Sequence, residues 1–79
     1  DLLSWVMARA QSGNVWITVM GNVNAIAVAT LTDVSCIVLT ENATLDEEAA
    51  KKAELQEIPV YGCQANSYQT AVKVYELLK

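Results

Sequence analysis

Along this chain, three short apolar runs alternate with segments in which apolar residues recur every three or four positions. The runs at residues 15–19, 36–39 and 59–63 predict short strands because they contain β-branched and aromatic side chains. The first two do not alternate cleanly with polar residues, which favours burial on both faces of a sheet. Pro59 cannot donate a hydrogen bond to a neighbouring strand, so it predicts the start of a strand at the sheet edge.

Four segments have helical spacing: residues 2–10, residues 24–31, residues 44 to about 57, and a last helix capped by Asn66 or Ser67. Thr44 and Glu47 match the capping-box pattern at the start of the third of these. The last helix carries one apolar stripe, formed by Tyr68, Ala71, Val72, Tyr75 and Leu78. The order α-β-α-β-α-β-α predicts a three-layer α/β/α, Rossmann-like domain with a small parallel sheet.

The helix over residues 24–31 is apolar on almost every side, which predicts burial on more than one side. Its small side chains allow a close approach to a sheet or to another helix. Two interpretations stay open: Ala25, Val28 and Ala29 contact a second copy in a homodimer, or a missing part of the protein's own chain covers a central helix.

Length and composition indicate one domain over residues 1–79. With 53% hydrophobic and only 18% charged residues, the chain is too apolar for a disordered segment. It begins in an apolar pattern without a methionine, so we expect an upstream N-terminal segment. The sheet of only three strands favours the same expectation, or pairing with a second copy.

The charge of the chain excludes several classes of partner. It carries a net charge of −4 with only five lysines and arginines, which are scattered, so nucleic acid and anionic membranes are disfavoured. No apolar run is long enough to span a membrane and no signal peptide is visible, which favours the cytoplasm. Two cysteines without any histidine make the usual zinc sites unattainable, and we expect no metal.

Polar residues follow all three predicted strands, at the edge where open α/β sheets collect ligands. These candidate ligand-binding residues are Gly21, Asn22, Asn24, Thr40, Glu41, Asn42, Asn66, Ser67 and Thr70. Two interpretations stay open, because the same residue types also form turns and helix caps. Catalysis is not expected, since no histidine, phosphate-binding glycine motif or paired acid supplies a base or cofactor site.

Several of these segments together resemble the DRTGG domain family. The resemblance rests on Asp1-Leu2-Leu3-Ser4, residues 15–19, the helix at 24–31, Cys36-Ile37-Val38-Leu39-Thr40, Ile58-Pro59-Val60 and residues 66–71. It covers nearly the whole chain. The two motif sites differ, however: the family's Gly-Asp-Arg corresponds to Gly21-Asn22-Val23, and its Gly-Gly to Glu41-Asn42.

The resemblance implies a regulatory or dimerising module without catalytic activity. Similar domains occur alone in bacteria and archaea, and as accessory domains of phosphotransacetylases and of CBS-containing inorganic pyrophosphatases, where they support adenine-nucleotide regulation. We therefore expect a homodimer that senses a nucleotide or another polar metabolite. The alternative is a purely structural dimerisation domain of a larger protein or complex.

Overall fold

Helices and strands alternate throughout residues 2–79, the part of the chain that the computed structural model describes. The elements in order are α1 (Leu3–Arg9), β1 (Val15–Thr18), α2 (Val23–Thr32), β2 (Cys36–Leu39), α3 (Glu47–Leu55), β3 (Val60–Gly62) and α4 (Ser67–Leu78). The three strands form one parallel sheet in the order β1-β2-β3. This confirms the predicted α/β fold class.

One face of the sheet carries the hydrophobic core, and we call it the first face. The register aligns Trp16 with Ile37 and Ile37 with Val60, so these three side chains share that face. They pack with alanines and isoleucine from α2 and α3 into a single buried cluster. Both crossover helices therefore cover the same face, as a constant crossover handedness with this strand order requires.

Helix α2 lies inside the chain's own core. Ala25, Ile26 and Ala29 are 0% exposed and Val28 is 7% exposed, in contact with the sheet and with α3. Ala25, Val28 and Ala29 therefore have no surface left for a second copy, which corrects their assignment as interface residues. This helix contacts α1 and α3, and its buried residues share one cluster with Trp16 and Ile37 of the sheet, while Ala27 and Leu31 stay exposed.

The opposite, or second, face of the sheet is covered by α4. This helix contacts β1 and buries Thr70, with Val74 half-buried four residues later on the same side. The predicted apolar stripe does not face the core: Tyr68, Ala71, Val72, Tyr75 and Leu78 are all exposed. Because α4 uses another side for its contact with the sheet, its most apolar stripe remains open.

Helix α3 begins at Glu47 and is capped by Asp46, not by Thr44 as the capping-box pattern predicted. The Asp46 carboxylate accepts a hydrogen bond from the Ala49 amide at 2.8 Å. At α4 the cap is Asn66, one of the two residues predicted, and Ser67 is the first residue of the helix; Asn66 and Gln69 form a reciprocal capping box.

All the helices found in residues 2–79 are short, and α4 has 12 residues. None of them has both the length and the apolar character needed to cross a membrane.

Candidate functional site at the ends of the strands

The candidate site is the strand-end rim, defined here as the loops at residues 19–22, 40–46 and 63–66. Since the strands are parallel, these loops emerge at the same edge of the sheet. All the ligand-binding residues predicted from sequence lie in these loops or in the first turns of α2 and α4. The strands thus bring the predicted residues to one edge.

The first and second loops are held together by backbone contacts. The Thr18 carbonyl accepts from the Thr40 amide at 3.0 Å, and the Gly21 carbonyl accepts from the Asp46 amide at 2.9 Å. A Cβ atom at Gly21 would lie 2.0 Å from the carbonyl oxygen of Thr44. Gly21 is therefore needed for the close approach of the chain's own second loop. The space beside Gly21 is filled by the Thr44 carbonyl, so a ligand cannot approach the backbone there.

The second and third loops are joined in a similar way. Glu41 and Asn42 both have left-handed backbone conformations, with φ of 55° and 63°. Their amides donate to the carbonyls of Ala65 and Cys63 at 2.9 Å each. These two amides consequently serve the contact between the loops and are not directed at a bound anion.

Several of the predicted polar side chains are occupied within the fold. Asn22 caps α2 by accepting from the Ala25 amide at 3.0 Å, and Asn66 caps α4 by accepting from Gln69 at 2.8 Å. Thr40 is fully buried, and the Thr70 hydroxyl lies 3.4 Å from the Cys63 sulfur. These side chains maintain the shape of the rim.

Four of the predicted residues have exposed side chains that make no hydrogen bond within residues 2–79. They are Asn24, Glu41, Asn42 and Ser67. The rim loops contain no lysine or arginine, and their acids are Glu41 and Asp46, the second of which caps α3. The free groups are thus amide, hydroxyl and carboxylate, which suit a ligand rich in hydroxyl or amino donors.

The structure also contains a groove that the sequence did not reveal. It has a volume of about 700 Å³ and lies between β3 and α4, on the second face of the sheet. Val38 and Tyr61 line it from the sheet, and Tyr68, Val72 and Lys73 from the helix. It reaches the rim at the third loop. The available signal was Tyr61, an aromatic residue in a strand that Pro59 placed at the sheet edge.

The described residues do not assemble a candidate metal centre. In residues 2–79, no cluster of three or more cysteine or acidic side chains has the proximity needed to hold a metal ion.

Comparison with known families gives one match. The family model described as the DRTGG domain matches residues 3–77, nearly the whole chain. Asp1, the first residue of the resemblance noted in the sequence, lies outside both that match and the described residues. No curated protein and no solved structure matches the chain.

Proposed function

Because the chain belongs to the DRTGG domain family, we propose that it is a regulatory module without catalytic activity, which binds a small polar ligand such as a nucleotide and acts as a homodimer. The family is one of regulatory domains. The proposed ligand site is the strand-end rim, with Asn24, Glu41, Asn42 and Ser67 as the residues that contact the ligand. We also propose a cytoplasmic location, where the free thiols of Cys36 and Cys63 would stay reduced.

The observation that carries this proposal lies in the second loop. By the resemblance, Glu41 and Asn42 correspond to the family's Gly-Gly, and both are left-handed. A left-handed conformation costs a non-glycine residue roughly 1–2 kcal/mol. The loop thus keeps a backbone suited to glycine while it presents two exposed polar side chains. Asp33 and Glu57, at helix ends away from the rim, have the same conformation, so the support for a binding role is the pair of exposed side chains that this loop presents.

The chemistry of the free groups narrows the ligand class. Glu41 is an acceptor for hydroxyl and amino groups, and Asn24 and Asn42 can both donate and accept. No cation in the rim loops would pair with a phosphate, and the chain carries a net charge of −4. We therefore expect recognition of the sugar and base of a nucleoside to contribute more than recognition of a polyphosphate.

The test is thermal unfolding of the chain with adenosine, AMP or ATP. Binding of adenosine or AMP at ten times its Kd would stabilise the fold by about 1.4 kcal/mol. For a domain of this size, that stabilisation corresponds to a rise in Tm of roughly 6–11 °C. We expect the shift to be lost in Glu41→Gly and in Asn42→Gly.

These two substitutions separate binding from folding. Glycine removes the side chain but suits the left-handed backbone, so the unliganded variants should be at least as stable as the unmodified chain. Gln56→Ala, at the far end of α3, removes an exposed amide away from the rim and is the matched control. Absence of any shift with the three compounds, or an unchanged shift in both variants, would contradict the proposal.

A second candidate is a purely structural dimerisation domain. The observation in its favour is the number of large apolar side chains that α4 leaves exposed, among them Tyr75, Leu77 and Leu78. Light scattering on the unmodified chain checks it by measuring the molar mass in solution. A dimer without a thermal shift favours this candidate, whereas a monomer at high protein concentration rejects it.

A further inference from the structure

The second face of the sheet has two complementary features side by side. One is the groove between β3 and α4, whose floor includes Val38 and Tyr61. The other is the apolar side of α4, where Tyr68 and Val72 form one wall of that groove, Tyr75 lies beyond it, and all three are exposed. We call these features together the α4–β3 surface. A helix with an exposed apolar side is the kind of element that an apolar groove accepts.

The exposed area is large for a chain of this size. Tyr61, Tyr68 and Tyr75 are 60%, 77% and 66% exposed. If each ring can bury about 200 Å², the three leave roughly 400 Å² open. That is about half of the ~800 Å² that each partner buries in an interface of standard size. Val72 and Leu78 are also exposed and add to it.

Charge identifies a second copy of this chain as the occupant. Two copies with a net charge of −4 each repel one another, and residues 2–66 carry seven acids against Arg9, Lys51 and Lys52, whereas residues 67–79 carry Lys73 and Lys79 against Glu76. The α4–β3 groove instead contains one cation and one anion, Lys73 and Glu76. Repulsion between copies is therefore weakest at the surface where the apolar area is largest.

We propose that two copies associate through their α4–β3 surfaces, with α4 of each copy seated against the groove of the other. The inference rests on the homodimer of the proposed function and identifies its interface. A two-fold axis would let the α4–β3 surface of each copy contact the same surface of the other, since the groove and the apolar side of α4 lie on one chain. Each copy would cover the part of its partner's second face that the partner's own α4 leaves open.

The experiment compares the dimer Kd of the unmodified chain with that of single variants, by sedimentation equilibrium. Tyr68→Glu and Val72→Glu each introduce an unpaired charge into the proposed interface, and we expect the Kd to rise at least roughly tenfold. Leu55→Glu, on exposed α3, is the matched control for a charge on an apolar position. It should leave the Kd unchanged. Far-ultraviolet circular dichroism verifies that each variant is folded.

A third variant separates this interface from one on α2. Ala27 is an exposed residue of α2, so Ala27→Glu tests that helix without disturbing the core. A dimer that survives Tyr68→Glu and Val72→Glu but not Ala27→Glu would overturn the α4–β3 assignment and leave the homodimer intact.

A monomeric unmodified chain would overturn both the interface and the homodimer. The ligand proposal would then still be decided separately, by the thermal shift with adenosine and AMP. Tyr68 and Val72 are not among the residues proposed to contact the ligand. A variant that no longer dimerises but still shows the rise in Tm with ligand has therefore lost association and kept an intact rim.

Discussion

The two faces of the sheet are covered by helices whose burial does not follow their apolar content, since α3 carries five charged residues in nine and still packs into the core. On the first face, α2 and α3 bury Ala25, Ile26 and Ala49 completely. On the second face, α4 is longer than either helix, yet Thr70, at 6% exposed, is its one buried residue. The first face is a packed core, whereas the second is a partly open layer.

The difference follows from how the helices are attached to the strands. Helices α2 and α3 each connect two adjacent strands, so both of their ends are held at the sheet and they must lie across it. Helix α4 is joined to β3 by the third loop, where Asn66 caps it and Thr70 contacts Cys63, and it contacts β1 across the second face without connecting two strands. An apolar helix therefore indicates a buried surface only when the connections also place it.

The largest expected effect is on the core of the first face. Ile37 is 0% exposed, and Ile37→Ala should lower the free energy of unfolding by about 2–5 kcal/mol through lost burial and a cavity. Ile17 points to the second face and is half-buried, so Ile17→Ala should cost only about 1 kcal/mol. Urea denaturation measures both. Equal losses would show that the second face is packed as tightly as the first.

Next in size is the contact between the first two loops. Gly21→Ala should destabilise the chain by about 1–3 kcal/mol, because the new Cβ overlaps the Thr44 carbonyl and the loop must move. Gly62, in β3, has no atom within 4 Å of the position of an added Cβ. Gly62→Ala should therefore leave stability unchanged or raise it by up to about 1 kcal/mol. A neutral Gly21→Ala in thermal unfolding would contradict the tight loop contact.

Capping provides a smaller, matched comparison between α3 and α4. Removing either cap, with Asp46→Ala or Asn66→Ala, should cost the helix about 1 kcal/mol. For α3 we expect this loss in global unfolding, since the helix belongs to the core. For α4 we expect it mainly as faster hydrogen exchange of the helix amides, because a weakly attached helix opens locally. Uniform protection of both helices would remove the distinction between the faces.

The smallest effect concerns the exposed side of α3. Lys51 and Glu47 form an ion pair at 3.7 Å with both side chains exposed. Lys51→Ala should change the free energy of unfolding by no more than about 0.5 kcal/mol, and less at high salt. A larger loss in chemical denaturation would mean that surface charge, as well as burial, distinguishes the α3 side from the α4 side.

Local patterns were sufficient to predict most of the architecture. The bounds of β2 were predicted to the residue, β3 was placed at an edge from Pro59, and the cap of α4 was narrowed to Asn66 or Ser67. These features depend on side-chain propensities and hydrogen bonds within a few residues of one another. The start of α3 differed because Asp46 and Thr44 are both good caps, and contacts with the first loop select the former.

The sequence by itself determined the order of the elements, the parallel sheet and the edge at which the polar loops meet. Only the tertiary structure decided which side of each helix is covered, that α2 is internal, and that a groove lies beside α4. It also decided that Gly21 serves the second loop, 23 residues further along the chain at Thr44. The spacing of apolar residues predicts that a segment has an apolar side. The residues that pack against that side are distant in sequence, so only the tertiary structure identifies them.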